Sequence, residues 1–233
     1  MQVILITVSK LKQAVQPPFI YLASQSPRRA ELLAQLGIAH QLLLADETED
    51  AEGLEAVRGA EAPAVYVPRV TQLKLLAAVA RAQHRGLWGT GVTSKPAPPI
   101  LCADTTVALG RTIYAKPTDA NDAARMLADL SGRTHRVLTA VGVAWRSSGQ
   151  GVGQIKTALR LSKSKVTFAT LSTHEIAAYV ATGEPFGKAG SYGVQGKAAA
   201  FIAKISGSYS GIMGLPLFDT AELLRGAGFK GLG

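Results

Sequence analysis

The sequence predicts an α/β protein, because strand patterns and helix patterns alternate along most of it. Two places carry the prediction. Residues 19–23 form a short apolar run followed at once by a complete helix start and stop, and residues 100–130 repeat the strand-then-helix order on a longer scale. The chain has 233 residues, room for one large domain or for two small lobes around a shared cleft. We take residues 1–18, ending in Pro17-Pro18, as an extension, and 19–233 as a single domain.

The elements follow in order. The 19–23 strand leads into Ser24-Gln25-Ser26, then Pro27 and a helix over 28–36 closed by Gly37. Ser26 is placed to cap that helix, Pro27 suits its first position, and Gly37 suits its end. A second helix spans 66–83, with Val70, Leu73, Leu76 and Ala77 on one face. A loop over 86–99, rich in Gly, Pro and Ser, separates it from a strand over 100–108. A helix over 119–130 ends at Ser131-Gly132, and strands are expected at 136–145 and 165–169, with 149–153 as a hairpin or connecting loop. Ser172 and Glu175 form a capping box for a further helix reaching Thr182-Gly183. The last section, 201–225, reads as strand, turn, strand and short helix.

Composition narrows the function. Hydrophobic residues make up 47% of the chain, so a sizeable core is available, yet no apolar run reaches the roughly 18–20 residues of a membrane span. The apolar stretch 3–8 is too short for a signal-peptide core and no cation precedes it. Cys102 stands alone, so there is no disulfide framework, and a reducing, cytoplasmic setting is expected. The formal net charge is +9, but the basic residues are dispersed and no aromatic residues interleave with them. A nucleotide suits that charge better than a nucleic acid, and neither nucleic acid nor membrane is expected as a partner.

Five segments carry chemistry. Arg28 and Arg29 sit at a helix start, where the helix dipole is already positive. A bound anion reverses that penalty, with free N–H groups, Ser24 and guanidinium groups converging on phosphate oxygens. On these residues alone, a solvated basic face is an equally open alternative. Asp104 interrupts an apolar strand, where a carboxylate is costly unless paired, hydrogen-bonded or metal-bound. It is a candidate metal ligand or general base, the alternative being a turn aspartate capping the segment. Cys102 reads as a packed residue. The cluster Asp46-Glu47-Thr48-Glu49-Asp50 offers hard oxygen ligands for Mg²⁺ or Mn²⁺, though such loops are often merely solvated. Lys74, Lys116 and Lys188 are candidate phosphate partners, each equally readable as a surface lysine. Residues 183–196 hold five glycines, which permit close approach of a ligand, but their spacing does not match a Walker A loop. The four histidines, His40, His84, His135 and His174, lack zinc-site spacing.

The order of the motifs is more specific than any one of them. SQSPRRAELLAQLG, ADET, YVPRV-x-x-LK, ADTTVALG, AKPTDANDAARMLADLSGRTHRVLTAV, EPFGKAGSYGVQG and ISGSYSGIMGLPL occur in sequence. The chain thereby resembles the Maf family of nucleotide pyrophosphatases from about Phe19 to Arg225. The resemblance implies an inosine-triphosphatase-like fold: a bent mixed β-sheet flanked by helices, with two lobes around a deep cleft. It implies metal-dependent hydrolysis of a nucleoside triphosphate to monophosphate and pyrophosphate, and a homodimer. By position it makes Asp104 the catalytic base and a metal ligand, with Glu47 an acidic residue near the metal. Ser24, Arg29, Lys74, Lys116 and Lys188 become phosphate-cleft residues. Arg28, Thr105 and Gln195 match the branch that prefers dTTP and UTP, with modified pyrimidine nucleotides as further candidates, since a glutamine can match the imide edge of thymine or uracil. Leu73 and Gly187 depart from residues common in the family, as do the long 86–99 loop and residues 1–18. A nucleotide-sensing regulatory protein linked to septum formation is the alternative.

Overall fold

A computed structural model describes residues 19–46, 49, 53–88, 97–147 and 154–231. The 1–18 extension, Glu47, Asp50 and the 149–153 loop lie outside the described residues, as does most of the long loop before residue 97.

The chain opens with β1 (Ile20–Leu22), α1 (Pro27–Gln35) and β2 (His40–Leu42), then a 3₁₀ turn at Gly53–Glu55 and the long α2 (Pro63–His84). The middle comprises β3 (Ile100–Leu109), β4 (Thr112–Tyr114), α3 (Ala120–Leu130), β5 (Thr134–Arg146) and β6 (Ile155–Phe168). It ends with α4 (Thr173–Val180), two 3₁₀ turns, β7 (Ile202–Ser206), α5 (Tyr209–Met213) and α6 (Leu217–Gly226). Among the described residues the strands form one seven-stranded mixed sheet in the order β2-β1-β3-β5-β6-β7, with β4 paired to β3. β1 is parallel to β2 and β3, while the other pairings are antiparallel. Helices flank the sheet, as the sequence predicts.

β3 organises the packing. Its side chains alternate between faces, as the strand period demands. Leu101 and Ala103 pack with α1 and α6 residues such as Leu32, Leu33 and Leu224. Ile100 and Cys102 face the other way, against Leu75, Ala78 and Val79 of α2. Asp104 follows Cys102 by two, so the same alternation turns it toward α2. The strand's apolar composition follows from its being covered on both faces.

Several expectations are corrected. β6 begins ten residues before the expected start at 165 and pairs with the whole of β5. Lys156, Arg160, Lys163 and Lys165 are exposed along it, on both faces, so apolar content understates its length. The second strand expected within 201–225 is instead α5, because the Ser208 hydroxyl accepts from Gly211 N and starts a helical turn, while the short helix expected after it is α6. The short strands β2 and β4 had no strong pattern. Ser26 holds the N-cap position of α1 without a side-chain cap bond; instead its own N–H donates to Ser24 Oγ, two residues earlier, at 3.2 Å. Asp119 and Ser172 do cap α3 and α4 through their side chains.

His135 is a structural residue. It is buried edge-on against Phe168 and Tyr192, with Nε2 2.8 Å from the Tyr192 hydroxyl. Burial pushes its pKa down to about 4. The unfolded value is near 6.5, so its stability contribution is fully present above pH ~6.5 and is lost as pH falls toward 4. His135→Gln should therefore flatten the stability difference between pH 7 and pH 4.5 by about 2–3 kcal/mol in denaturant titrations. A wild-type slope in that variant would remove His135 as the titrating group.

Candidate active site

β1 pairs with β2 on one side and β3 on the other, both parallel to it. That is a switch point of an α/β sheet, where a crevice opens beyond the strand ends. A cleft of about 1160 Å³ lies there. Its walls come from the β1–α1 loop, α2, the outer half of β3, Lys116, the 187–195 loop and the turn at 212–214.

Asp104 is buried in its floor, fifth of ten residues along β3. Lys74 Nζ, on the facing side of α2, lies 2.6 Å from Asp104 Oδ1 and 2.6 Å from Glu55 Oε1. Burial pulls the Lys74 ammonium down, but the Asp104 and Glu55 charges outweigh it and leave its pKa above the ordinary value. Burial likewise pushes the Glu55 carboxyl up, and Lys74, Lys116 and Arg29 reverse that to a net lowering. Lys116 Nζ reaches Glu55 Oε2 at 4.0 Å. The Tyr66 hydroxyl donates to Glu55 O at 2.9 Å, and burial together with the Asp104 and Glu55 charges raises its pKa to about 12.

The β1–α1 loop is braced from below. Arg29 Nη1 donates to Ser24 Oγ at 2.8 Å and Nε to Gly214 O at 2.9 Å, tying the start of α1 to the turn after α5. Burial lowers the Arg29 pKa, partly countered by Asp104. Its guanidinium thus holds the loop in shape as well as adding positive charge. Burial lowers the Arg28 and Lys188 pKa values too, and Arg28 adds to the depression of Lys188. Two cations close enough to disfavour one another are relieved by an anion between them.

The 187–195 loop packs on β3 through Gly190, whose φ is +69° and whose added Cβ would meet the Val107 side chain at 2.8 Å. Glu184 fastens its far end, accepting from the Tyr179 hydroxyl and from Lys197 N at 2.9 Å each. The Lys188 ammonium donates to Glu184 O. Gln195, next to that anchor, is exposed on the cleft wall.

All the sequence-predicted site residues within the described part line this one cleft: Ser24, Arg28, Arg29, Lys74, Asp104, Thr105, Lys116, Lys188 and Gln195. Glu47 lies outside the described residues. Its described neighbours have other partners: Glu49 takes a two-point bond from Arg81 at 2.6 Å, and Asp46 pairs with Arg85 at 3.1 Å. Sequence reasoning missed Glu55, Tyr66 and Arg81. Arg81 was findable, since it repeats the Lys74 face one heptad on. Glu55 was not, because its stretch has no periodicity.

The fold and site thus define an α/β protein with a cationic cleft arranged around one buried carboxylate. A family model described as Maf-like protein matches residues 19–227. The dTTP/UTP pyrophosphatase of Albidiferax ferrireducens is 60% identical over 212 residues, covering 91% of this chain and 98% of that protein. Those of Polaromonas sp. and Cupriavidus metallidurans are 58% and 59% identical over 212 and 209 residues, covering 97% and 96% of their lengths. The chain belongs to the Maf-like family.

The charge network makes an unequal prediction for its members. Lys74→Met leaves Asp104 without its ammonium partner and should cost about 1–3 kcal/mol of stability. Asp104→Asn leaves Lys74 with Glu55 and should cost under about 1 kcal/mol. Urea unfolding of both variants checks the order, and equal losses would contradict it.

Proposed function

We propose that this protein is a nucleoside triphosphate pyrophosphatase that hydrolyses dTTP and UTP to the monophosphate and pyrophosphate. The observation that carries this is the convergence of Asp104, Lys74 and the flanking cations on one nucleotide-sized cleft. The names of relatives up to 60% identical over almost their whole length support the substrate.

In this reading the triphosphate lies along Ser24, Arg28, Lys74, Lys116 and Lys188, whose charges lower the repulsion met by an incoming nucleophile. Lys74 stays protonated at neutral pH, as its raised pKa requires, and orients the Asp104 carboxylate. Asp104 accepts the proton of a water attacking the α-phosphorus in line, and pyrophosphate leaves. Arg29 keeps the β1–α1 loop in place while this happens.

A divalent metal fits the donor set. Among the described residues no group of three or more His, Cys, Asp or Glu converges. Asp104 and Glu55 nevertheless meet at one cation, Lys74, and Mg²⁺ or Mn²⁺ is commonly held by one or two carboxylates together with substrate phosphates. Asp104 and Glu55, with Glu47 on the strength of the family resemblance, are the residues that would hold it. The metal supplies charge neutralisation on the phosphates.

A nucleotide sensor without turnover is not favoured, since the relatives' names denote hydrolases. The one thiol, Cys102, is buried, and burial raises its pKa to about 12, which suits a packing role. Among the described residues no helix is long and apolar enough to cross a membrane. The homodimer rests on family resemblance, and sedimentation measures it directly.

Pyrophosphate release should be fastest with dTTP and UTP across a panel of nucleotides with Mg²⁺ or Mn²⁺, and Asp104→Asn should lose about 10²–10⁴-fold in kcat. Near-wild-type release by that variant would remove Asp104 as the base. Gln195→Glu should change base preference more than phosphate handling, read as KM across the same panel. An unaltered nucleotide profile would take Gln195 out of the base site.

A further inference from the structure

Behind Thr105 lies a hydrogen-bond chain that the chemistry above does not use. β3 and β5 are in register so that Thr105 stands opposite Thr139, and their hydroxyls are 2.9 Å apart. Thr139 is buried at 1% exposure, and its Oγ1 is 2.7 Å from Gly211 O. That carbonyl is held firmly, because Gly211 N is itself bonded to the Ser208 hydroxyl at 3.0 Å.

The direction of the chain follows from counting protons. A carbonyl only accepts, and a hydroxyl has one proton to give. At 2.7 Å the Thr139 proton must point at Gly211 O, since two oxygens with lone pairs facing would repel there. Thr139 is then only an acceptor toward Thr105, so Thr105 spends its own proton on Thr139. Thr105 lines the cleft, and what its oxygen presents there is lone pairs.

We infer that Thr139 is a positioning residue that fixes Thr105 as a hydrogen-bond acceptor, and so favours nucleobases with an imide N–H over bases whose ring nitrogen at that position bears a lone pair. The inference rests on the proposed function together with the family resemblance, which places Thr105 among the residues that select dTTP and UTP. Thymine and uracil carry such an N–H donor on their pairing edge, whereas cytosine carries an acceptor there. An acceptor-only hydroxyl satisfies the first and leaves the second unpaired, a mismatch that costs specificity. Without Thr139, the Thr105 proton is free to rotate toward the cleft, and either polarity can be met.

The test is the ratio of kcat/KM for dTTP to that for dCTP, measured for the wild type, Thr139→Val and Thr139→Ser, with melting temperatures alongside. Thr139→Val should lower the ratio about tenfold, mainly through KM, and Thr139→Ser should restore it. Thr139→Ala serves if the valine variant does not fold, with the same expectation. Thr105→Val should lose the same discrimination, and the double variant Thr105→Val/Thr139→Val should add nothing to it. A wild-type dTTP/dCTP ratio in folded Thr139→Val or Thr139→Ala, or a serine variant as impaired as the valine one, overturns the inference while leaving the proposed function standing. Wild-type protein that releases no pyrophosphate from dTTP or UTP overturns the functional reading, and this inference with it.

Discussion

Asp104 stands on the central strand of the sheet, two residues from the fully buried Cys102, and its carboxylate meets the Lys74 ammonium at 2.6 Å. Much of the molecule depends on that contact. A carboxylate at that depth is costly to desolvate, and a charged partner in good geometry is what makes the position tolerable. The partner must arrive from α2, because strand alternation turns Asp104 to that face. α2 is accordingly packed against β3 along its length, through Leu75, Ala78 and Val79, and this packing fixes where Lys74 can reach. Glu55 shares the same ammonium, so the 3₁₀ turn ahead of α2 is drawn into the cleft as well.

The opposite face of β3 is built to a different rule. There Thr105 meets a neutral hydroxyl chain, and Arg29 bridges the β1–α1 loop to Gly214. The Asp104 side holds a carboxylate–ammonium pair, while the Thr105 side combines a directional hydroxyl chain with the Arg29 guanidinium. The two residues Asp104 and Thr105 are adjacent in sequence but belong to different environments because successive side chains of a strand point apart.

Much of this was legible in the sequence. The strand–loop–helix at residues 19–37 was readable because Pro27 and Gly37 have few other uses at those positions. Asp104 was visible as a polar residue in an apolar strand, and Arg28 and Arg29 as charges of the wrong sign at a helix start. The long β6 was largely missed because Lys156, Arg160, Lys163 and two serines interrupt the apolar residues of its first part, and α5 was read as strand because five residues are too few to show a helical period. Glu55, Tyr66 and the Thr139 chain left no signal, since each matters only through partners at least 11 residues away.

By itself the sequence determined the fold class, the family, and the identity of most of the residues that carry charge and polarity into the cleft, Glu55, Tyr66 and Arg81 apart, because these depend on local pattern and on the order of motifs. The tertiary structure decided the pairings. Lys74 and Asp104 are separated by 30 residues, Thr105 and Thr139 by 34, and Arg29 and Gly214 by 185. No periodicity encodes such contacts. They exist because the sheet's register and the packing of α2 and α5 bring side chains together that the chain alone keeps apart. Asp104 therefore remains the residue that sequence singles out, while its partner, its ionic setting and the polarity of its neighbour Thr105 are properties of the folded molecule.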